Sequence, residues 1–407
     1  MRTHVAVYSL FCVLNCAVAA CRPDAVPESG PSVRDSAGVR IVEYGATPAR
    51  AGPFVFSPQP LYRYGTGPED YPFRSISRGA LLADGSAAVI DALNAELVLI
   101  APDGTFRGLL AGRGDGPGEL DRPTAVFSLG GDTLLVDDHG HARLTFFGGG
   151  TVAREVDTRL LNRSLRVLGI GANGRLLMAS GSYMPGFAEP WLRGHMVRFD
   201  PDAGVADTVG AYDWVRSSPR EGPFNPFETG GDVTAAGGRF VYVRSDRPEV
   251  TWRNPDGTVH QIVRWRSSPA YPDEEHWRRF ESSRRIRLRP ANPHIQSEAE
   301  FEELVQTSLA RYELAEDEPL PLISRPFGDR EGRVWLGHYT VGWQVGGVSG
   351  YSILAPDGTW LGDVRTPRGV RLLDVAQGRA LGVSRDEMGV ESLVLYELLP
   401  AGTTEGT

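Results

Sequence analysis

Lysine is absent from this chain of 407 residues, so all 42 of its basic residues are arginine. The 51 acidic residues outnumber them and leave a formal net charge of -9 at pH 7. A general nucleic-acid binder needs a net basic face that displaces counterions from phosphates, so this charge balance excludes nucleic acid as the expected partner. Arginine nevertheless binds carboxylates and phosphates through two parallel hydrogen bonds, which lysine does not form.

The common catalytic signatures are also missing. The sequence contains no Gly-x-Ser-x-Gly elbow, no His-Glu-x-x-His pair, no P-loop and no dinucleotide fingerprint. We therefore expect no cofactor, and we favour a protein that is not an enzyme.

Cysteine is scarce, and all three cysteines lie within the first 21 residues. This segment carries Arg2 near its start and an apolar stretch from Val5 to Val18 that is too short for a spanning helix. Its end, Val18-Ala19-Ala20-Cys21, resembles a lipobox, the cleavage and diacylation signal of bacterial lipoproteins. The resemblance implies a signal peptide over residues 1–20 and a lipid on Cys21.

An alternative is cleavage by an ordinary signal peptidase at Ala17 to Ala19, which would release a soluble protein. Both alternatives export the chain. We expect it in the cell envelope, held by its lipid to a membrane on the periplasmic or outer-membrane face. Residues 21–38 are rich in Pro, Ser and Gly, so we expect them to form a flexible tether.

The most informative feature is a repeated unit of apolar strands separated by turns. Pro-Asp-Gly-Thr occurs three times, starting at Pro102, Pro255 and Pro356, and each copy lies between two apolar runs, which is typical of a hairpin. Several units begin about 45 residues apart, the length of one four-stranded propeller blade. The glycines of the six leading turns are Gly85, Gly131, Gly174, Gly238, Gly332 and Gly378.

Six such units predict an all-β fold, a six-bladed β-propeller over residues 39–400, followed by a disordered tail at residues 401–407. The sixth unit lacks an outer strand, so we expect either Val39 to Tyr44 or Pro60 to Tyr64 to supply it and close the ring. A two-sheet sandwich is the main alternative, but it does not explain the repeat.

The segment from Gly112 to Thr151 resembles the NHL-type repeat, with a glycine-rich lead, a proline before an apolar strand and aspartate at the strand end. The mature chain as a whole is similar to a group of exported bacterial six-bladed propellers. The resemblance implies the fold and, for most members, no established activity. The segments that carry it are Gly112 to Leu120, Arg330 to Trp335, Pro356 to Thr359 and Leu381 to Leu398.

Residues 271–319 interrupt the repeat and predict a helical insertion between the fourth and fifth units. Ser297 and Glu300 form a capping box before an amphipathic helix, and a shorter helix is expected after Pro272. Six arginines lie between them, at positions 278, 279, 284, 285, 287 and 289. We expect these arginines to pair with the glutamates at 298, 300, 302 and 303, although they could instead hold an anionic ligand or a lipid surface.

Two groups of residues could begin a metal site. His139 and His141 lie on the same side of an extended chain, but no third histidine follows nearby, since His338 lies three units away. Asp91, Asp137, Asp246 and Asp386 close successive strands and could reach the ring axis. We expect these aspartates to cap tight turns instead, and we expect no metal.

Propeller geometry predicts a ligand site at one mouth of the central channel, built from loops. Trp343 and Phe224 are the expected anchors, unless they plug the channel. We therefore expect a non-catalytic, membrane-tethered module that binds a protein, a peptide or a glycan. The alternative is a metal-dependent lactonase-like or lyase-like enzyme, which would need acidic, Asn or His side chains converging on the axis, whereas an apolar or Arg-lined mouth favours binding. The candidate ligand-binding residues are Tyr71, Phe73, Phe224, Phe227, Tyr339 and Trp343.

Overall fold

The computed structural model describes residues 30–402 apart from 49, 162–163, 172–173, 182–190, 217–222, 293, 342–347, 349 and 387–388. In that part of the chain, the strands form six sheets, and each sheet is one blade of a ring. The predicted six-bladed β-propeller is therefore confirmed. No helix among the described residues is both long and apolar enough to cross a membrane. The signal segment and Cys21 lie outside the described residues, as does Trp343.

The first four strands run along the outside of the ring before the first blade begins. They are β1 Ser32–Ser36, β2 Val39–Tyr44, β3 Phe54–Phe56 and β4 Tyr62–Tyr64. Blade 1 consists of β5 Ile76–Leu81, β6 Ala87–Asp91, β7 Glu96–Ile100 and β8 Phe106–Ala111. Blade 2 consists of β9 Pro123–Gly130, β10 Thr133–Asp138, β11 Arg143–Gly148 and β12 Thr151–Asp157. Blade 3 consists of β13 Leu165–Ile170, β14 Leu176–Ser180, β15 Trp191–Asp200 and β16 Val205–Arg216.

Blade 4 consists of β17 Gly231–Ala236, β18 Arg239–Arg244, β19 Glu249–Arg253 and β20 Val259–Trp265. Two helices follow it, α1 Glu274–Ala291 and α2 Glu298–Leu309. Blade 5 consists of β21 Ile323–Gly328, β22 Val334–His338, β23 Gly350–Leu354 and β24 Trp360–Arg365. Blade 6 consists of β25 Val370–Ala376, β26 Arg379–Arg385 and β27 Glu391–Pro400. The first strand of each blade lines the ring axis, so we call β5, β9, β13, β17, β21 and β25 the inner strands.

The repeated glycines and Pro-Asp-Gly-Thr segments of the sequence lie in turns that need their backbone conformations. All six leading-turn glycines have positive φ, between 56° and 87°, a conformation that a side chain would disfavour. The three Pro-Asp-Gly-Thr turns are also alike, with φ of 86°, 86° and 82° at Gly104, Gly257 and Gly358. In each of them the aspartate side chain accepts a hydrogen bond from the backbone N–H of the threonine.

The ring is closed by N-terminal strands that pair with the last blade. Tyr64 pairs with Leu393 and Phe56 pairs with Leu398, so β4 and β3 both run antiparallel to β27. Closure by the segment from Pro60 to Tyr64 is therefore confirmed. Closure by the segment from Val39 to Tyr44 is wrong, because β2 pairs in parallel with β20 and extends blade 4 instead.

Residues 32–64 form a belt around the rim of three blades. Tyr44 reaches from blade 4 to blade 5, where its hydroxyl donates to the carbonyl of Gly358 over 3.2 Å and accepts from the Trp360 N–H over 2.7 Å. The Gly52 N–H then donates to the Asp363 carbonyl on the edge of blade 5. β1 lies within the segment expected to be a tether, so residues 32–36 of that segment are a strand of the fold. Hairpin pairing with β2 orders this segment although its side chains are exposed.

The insertion contains the two predicted helices, with one correction. Ser297 caps α2 through the Glu300 N–H as expected, and Asp273 caps α1. α1 is the longer helix, at 18 residues against 12, and the arginine cluster lies on it rather than between the helices. Arg285 and Arg289 pair with Glu302 and Glu298, each over 2.5 Å, so the expected pairing of this cluster holds for these two.

Candidate functional site

A cavity of about 930 Å³ follows the ring axis. Inner strands from all six blades line it. The lining includes residues near both ends of these strands, from Arg166 to Ile170 on β13 for example, so the cavity runs from one face of the ring to the other. The helical insertion leads directly into the start of β21, which places the insertion at the face where the inner strands begin. We call this face the insertion face.

Charged residues occupy one level of the cavity near the insertion face. Arg78, Arg166 and Arg371 each hold the second paired position of their inner strand, opposite Ile90, Ala179 and Val383 respectively. Asp232 holds the same position on β17, opposite Val243. On β9 this level is occupied by Ala125, opposite Asp137.

Blade 5 contributes its charge through an irregularity in β21. Ser324 pairs with Gly337 and Phe327 with Trp335, which leaves Arg325 in a bulge between these pairs. Its φ of 44° lies in the left-handed region that residues with a Cβ rarely adopt. Strain of this kind persists where the surrounding structure enforces it, and it is concentrated at functional sites. Arg78, Arg166, Arg325, Arg371 and Asp232 together are called the arginine layer.

The arginine layer carries more positive charge than its own acidic residue balances. Asp232 bonds to Arg166 over 2.7 Å, and burial raises the pKa of this carboxyl. Burial and the neighbouring Arg325 lower the pKa of Arg78 and also lower that of Arg371, to about 10 in the second case. At pH 7 the described residues of this level therefore place four guanidinium groups around the carboxyl group of Asp232.

Glu391 is the other acidic residue that acts on the layer, through Arg371. Its carboxylate already accepts a hydrogen bond from the Ile76 N–H over 2.7 Å and pairs with Arg385. Arg371 itself donates to backbone carbonyls of β5, including that of Ile76 over 2.6 Å. These bonds fix the positions of both side chains, and among the described residues at this level the arginines outnumber the carboxylates.

The opposite end of the cavity is balanced. Arg330 lies 3.4 Å from Asp374, and Arg333 lies 2.5 Å from Asp329. Asp329 also accepts from the indole N–H of Trp335 over 2.8 Å, while Asp374 accepts from the Leu81 N–H and so links blade 6 to blade 1. These side chains join neighbouring strands and blades.

The histidines proposed as the start of a metal site bind separate carboxylates. His141 contacts Asp138 over 2.7 Å and Asp115 over 3.1 Å, whereas His139 contacts Asp137 over 3.4 Å. Hydrogen bonds that the rings donate to these carboxylates raise the pKa of both histidines. Among the described residues, no group of three or more His, Cys, Asp or Glu side chains converges as a metal site would require.

Two of the four strand-closing aspartates bond within their own turns. Asp91 accepts from the backbone N–H of Asn94 over 3.4 Å, and Asp386 accepts from that of Val390 over 2.8 Å. Asp246 instead pairs with Arg244 over 2.5 Å, and Asp137 accepts from the Val167 N–H of the next blade over 3.2 Å. Turn capping is therefore confirmed for Asp91 and Asp386.

Tyr71 and Phe73, two of the predicted ligand-binding aromatics, lie away from the cavity. Tyr71 and Phe73 pack against the core between blades 6 and 1, with ring centroids 5.0 Å apart. The Tyr71 hydroxyl contacts Asp91 and Glu96, and burial raises its pKa. The structure thus brings these two aromatics together, but not around the axis.

Phe224, Phe227 and Tyr339 lie outside residues 271–319, but their side chains pack against the helical insertion. Phe227 is 2% exposed and lies 6.1 Å from Phe280 between ring centroids, and Tyr339 packs against the same apolar cluster. The Phe224 ring is tilted against that of Tyr312, with centroids 6.3 Å apart, and it lines a separate surface cavity of about 630 Å³. Trp343 lies outside the described residues, and ligand binding by these aromatics stays a prediction.

The expected site was to be built from loops, whereas the charged site lies on the inner strands. No motif marks its residues, yet the repeat contains a signal. An arginine stands seven residues before the leading-turn glycine in three units, as Arg78, Arg325 and Arg371 do before Gly85, Gly332 and Gly378. Aligning the units on these glycines would have placed the arginines at one level of the ring.

Comparison with known proteins adds little to this picture. No protein-family model matches the chain, and no curated protein matches it by sequence. Solved structures that align with it include a Bacteroides fragilis protein described as exported, at 10% identity over 88% of this chain and 98% of that one, with a TM-score of 0.47. A member of the DUF4221 family from Bacteroides vulgatus has 10% identity over 86% and 98%, with a TM-score of 0.49.

The calcium-binding protein regucalcin from Agrobacterium tumefaciens aligns at 13% identity over 86% of this chain and 97% of that one, with a TM-score of 0.39. At such scores and identities the alignments carry no argument about function. The assignment of the fold rests on the six sheets of the chain itself.

Proposed function

We propose that this protein is an exported, membrane-tethered binding module, and that its ligand occupies the cavity on the ring axis. The observation that carries the proposal is the arginine layer inside a cavity of about 930 Å³. A cavity of that size suits a small or slender ligand. A glycan, a peptide or an extended segment of an envelope protein fits this description, whereas a folded domain does not enter a channel walled by strands.

The chemistry of the layer supports binding rather than catalysis. A guanidinium group stays protonated at neutral pH, so it donates hydrogen bonds and charge but does not serve as a general base. Arg78, Arg166, Arg325 and Arg371 therefore suit the holding of a ligand. The metal-dependent lactonase-like or lyase-like alternative has no observation among the described residues that favours it.

Export and tethering are supported by the lipobox-like end of the first 21 residues and by the course of the belt. β2 runs parallel to β20, which ends at Trp265 immediately before the insertion, and β1 runs back antiparallel to β2. The chain between Cys21 and Ser32 extends at most about 40 Å, so a lipid on Cys21 would hold the propeller close to the membrane.

Blocking the cavity tests the binding function. Thr234 lies two residues beyond Asp232 on β17, on the same side of the strand and deeper in the cavity. Native mass spectrometry of the protein, released in mild detergent from its own envelope, should detect a bound ligand with the wild type and none with Thr234→Trp. A Val205→Trp variant, changed at an exposed position on the outer part of blade 3, is the matched control and should keep the ligand.

A bound mass that persists unchanged in Thr234→Trp would overturn the axial site. Tethering is tested separately by fractionation of cells that carry Cys21→Ser. We expect the variant to leave the membrane fraction, and equal membrane retention of both proteins would contradict the proposed lipid anchor.

A further inference from the structure

We propose that the ligand of the axial cavity is a multivalent oxyanion, carrying two or more phosphate or carboxylate groups, that bridges the guanidinium groups of the arginine layer. This inference rests on the proposed binding function and gives it a ligand chemistry. The ligand is defined by its clustered negative charge, whether it is a free molecule or the headgroup of a lipid.

The arrangement of the arginine layer favours a ligand that carries more than one negative group. Arg78 comes from blade 1, Arg166 from blade 3, Arg325 from blade 5 and Arg371 from blade 6, so the four guanidinium groups surround the axis. Asp232 bonds to Arg166 and balances one of them. A ligand with a single negative group would contact only part of this ring of guanidinium groups, whereas a multivalent one contacts several of them at once.

The arginines influence one another across the cavity, which places them within reach of one small ligand. Arg325 and Arg166 both lower the pKa of Arg78, and Arg325 and Arg78 both lower that of Arg371. Each of these side chains is nonetheless partly or largely accessible within the cavity rather than sealed in the core. Guanidinium groups that are both clustered and accessible suit bidentate recognition of phosphate and carboxylate oxygens.

The level of the layer indicates where the ligand enters. The charges lie within the first three residues of their inner strands, near the insertion face, while the far end holds the balanced pairs of Arg330 and Arg333. An anion arriving from the insertion face meets the excess positive charge first.

Titration calorimetry on the protein purified in non-ionic detergent tests the inference. The probes are inositol hexakisphosphate, inorganic pyrophosphate and, as the lipid arm, phosphatidylglycerol mixed into the same detergent micelles. We expect saturable binding of at least one probe, weakened at least about 30-fold in Arg166→Gln/Arg371→Gln because each lost guanidinium removes charge-assisted hydrogen bonds. A response to the free anions alone identifies a soluble ligand, and a response to the micelles alone identifies a headgroup.

Two further variants keep the test decisive. Arg34→Gln/Arg107→Gln removes two exposed arginines outside the cavity and should bind the probe within about twofold of the wild type. Ala125→Asp keeps every arginine and adds a carboxylate at the level where blade 2 has none, so it should also weaken binding. The proposal is overturned if the wild type and both layer variants bind the probe with equal affinity. It is also overturned if Arg34→Gln/Arg107→Gln loses as much affinity as the layer variants do.

A neutral probe separates failure of this inference from failure of the proposed function. If maltohexaose binds the wild type but not Thr234→Trp, while no anion binds, the cavity is a binding site for neutral glycans and the oxyanion proposal is wrong. If Thr234→Trp binds every probe as the wild type does, the axial site itself is wrong.

Discussion

The two ends of the axial cavity use arginine in different ways. Near the insertion face, four arginines reach the cavity surface, and Asp232 bonds to one of them, Arg166. At the far end, Arg330 and Arg333 each have a carboxylate, and those carboxylates also accept hydrogen bonds from neighbouring strands. Balanced charge holds blades together, whereas excess charge is available to a ligand. The distinction predicts opposite responses to mutation at the two ends.

Removing a carboxylate at the far end should have the largest effect on stability. Asp329→Ala leaves the Arg333 guanidinium and the Trp335 indole N–H without their buried acceptor, which should lower the free energy of unfolding by about 3 kcal/mol. Urea unfolding measures this loss. Asp207→Ala, which breaks an exposed pair with Arg198, is the control and should cost less than about 1 kcal/mol. Equal losses would mean that the far end is not a structural ion-pair network.

Stability near the insertion face should depend on pH through His141. Hydrogen bonds to Asp115 and Asp138 raise the pKa of His141 above its value in the unfolded chain. The charged pair therefore stabilises the fold fully below the unfolded pKa of about 6.5, and this stabilisation disappears as pH rises through the folded pKa. His141→Gln should be less stable than the wild type by about 0.5–1 kcal/mol at pH 5.5 and equal to it at pH 8.5. A stability difference between His141→Gln and the wild type that widens as pH rises would contradict this role of His141.

Removing an arginine from the layer should not lower the stability of the fold when no ligand is bound. Arg78→Gln relieves repulsion from Arg166 and Arg325, so thermal melting at low salt should show equal or slightly higher stability, by up to about 0.5 kcal/mol. The difference should vanish in about 1 M NaCl because salt screens the repulsion. A clear loss of stability at low salt would show that Arg78 serves the fold rather than a ligand.

The sequence predicted the blades because backbone rules repeat along the chain. The glycine turns and the Pro-Asp-Gly-Thr hairpins need particular φ values, and these needs are visible in single residues such as Gly85 and Gly104. The capping box at Ser297 likewise predicted the start of α2. Local geometry of this kind does not depend on distant partners.

The site was not predictable in the same way because it depends on strand register. Arg78 and Arg371 share a spacing to their leading-turn glycines, but Arg166 and Asp232 do not, and the pairing of the sheets brings all four to one level. Arg325 reaches that level through a bulge, which no sequence pattern marked. Aromatic loops such as the one containing Phe227 were conspicuous in sequence, but the structure uses that side chain to build the core of the insertion.

A crystal structure of the protein soaked with tungstate, a heavy-atom oxyanion, would test directly whether the arginine layer binds oxyanions. The account predicts anomalous density on the ring axis within hydrogen-bonding distance of the guanidinium groups of Arg78, Arg166, Arg325 and Arg371. Density confined to the arginines of α1 or to the outer surface, with none at the arginine layer, would contradict it.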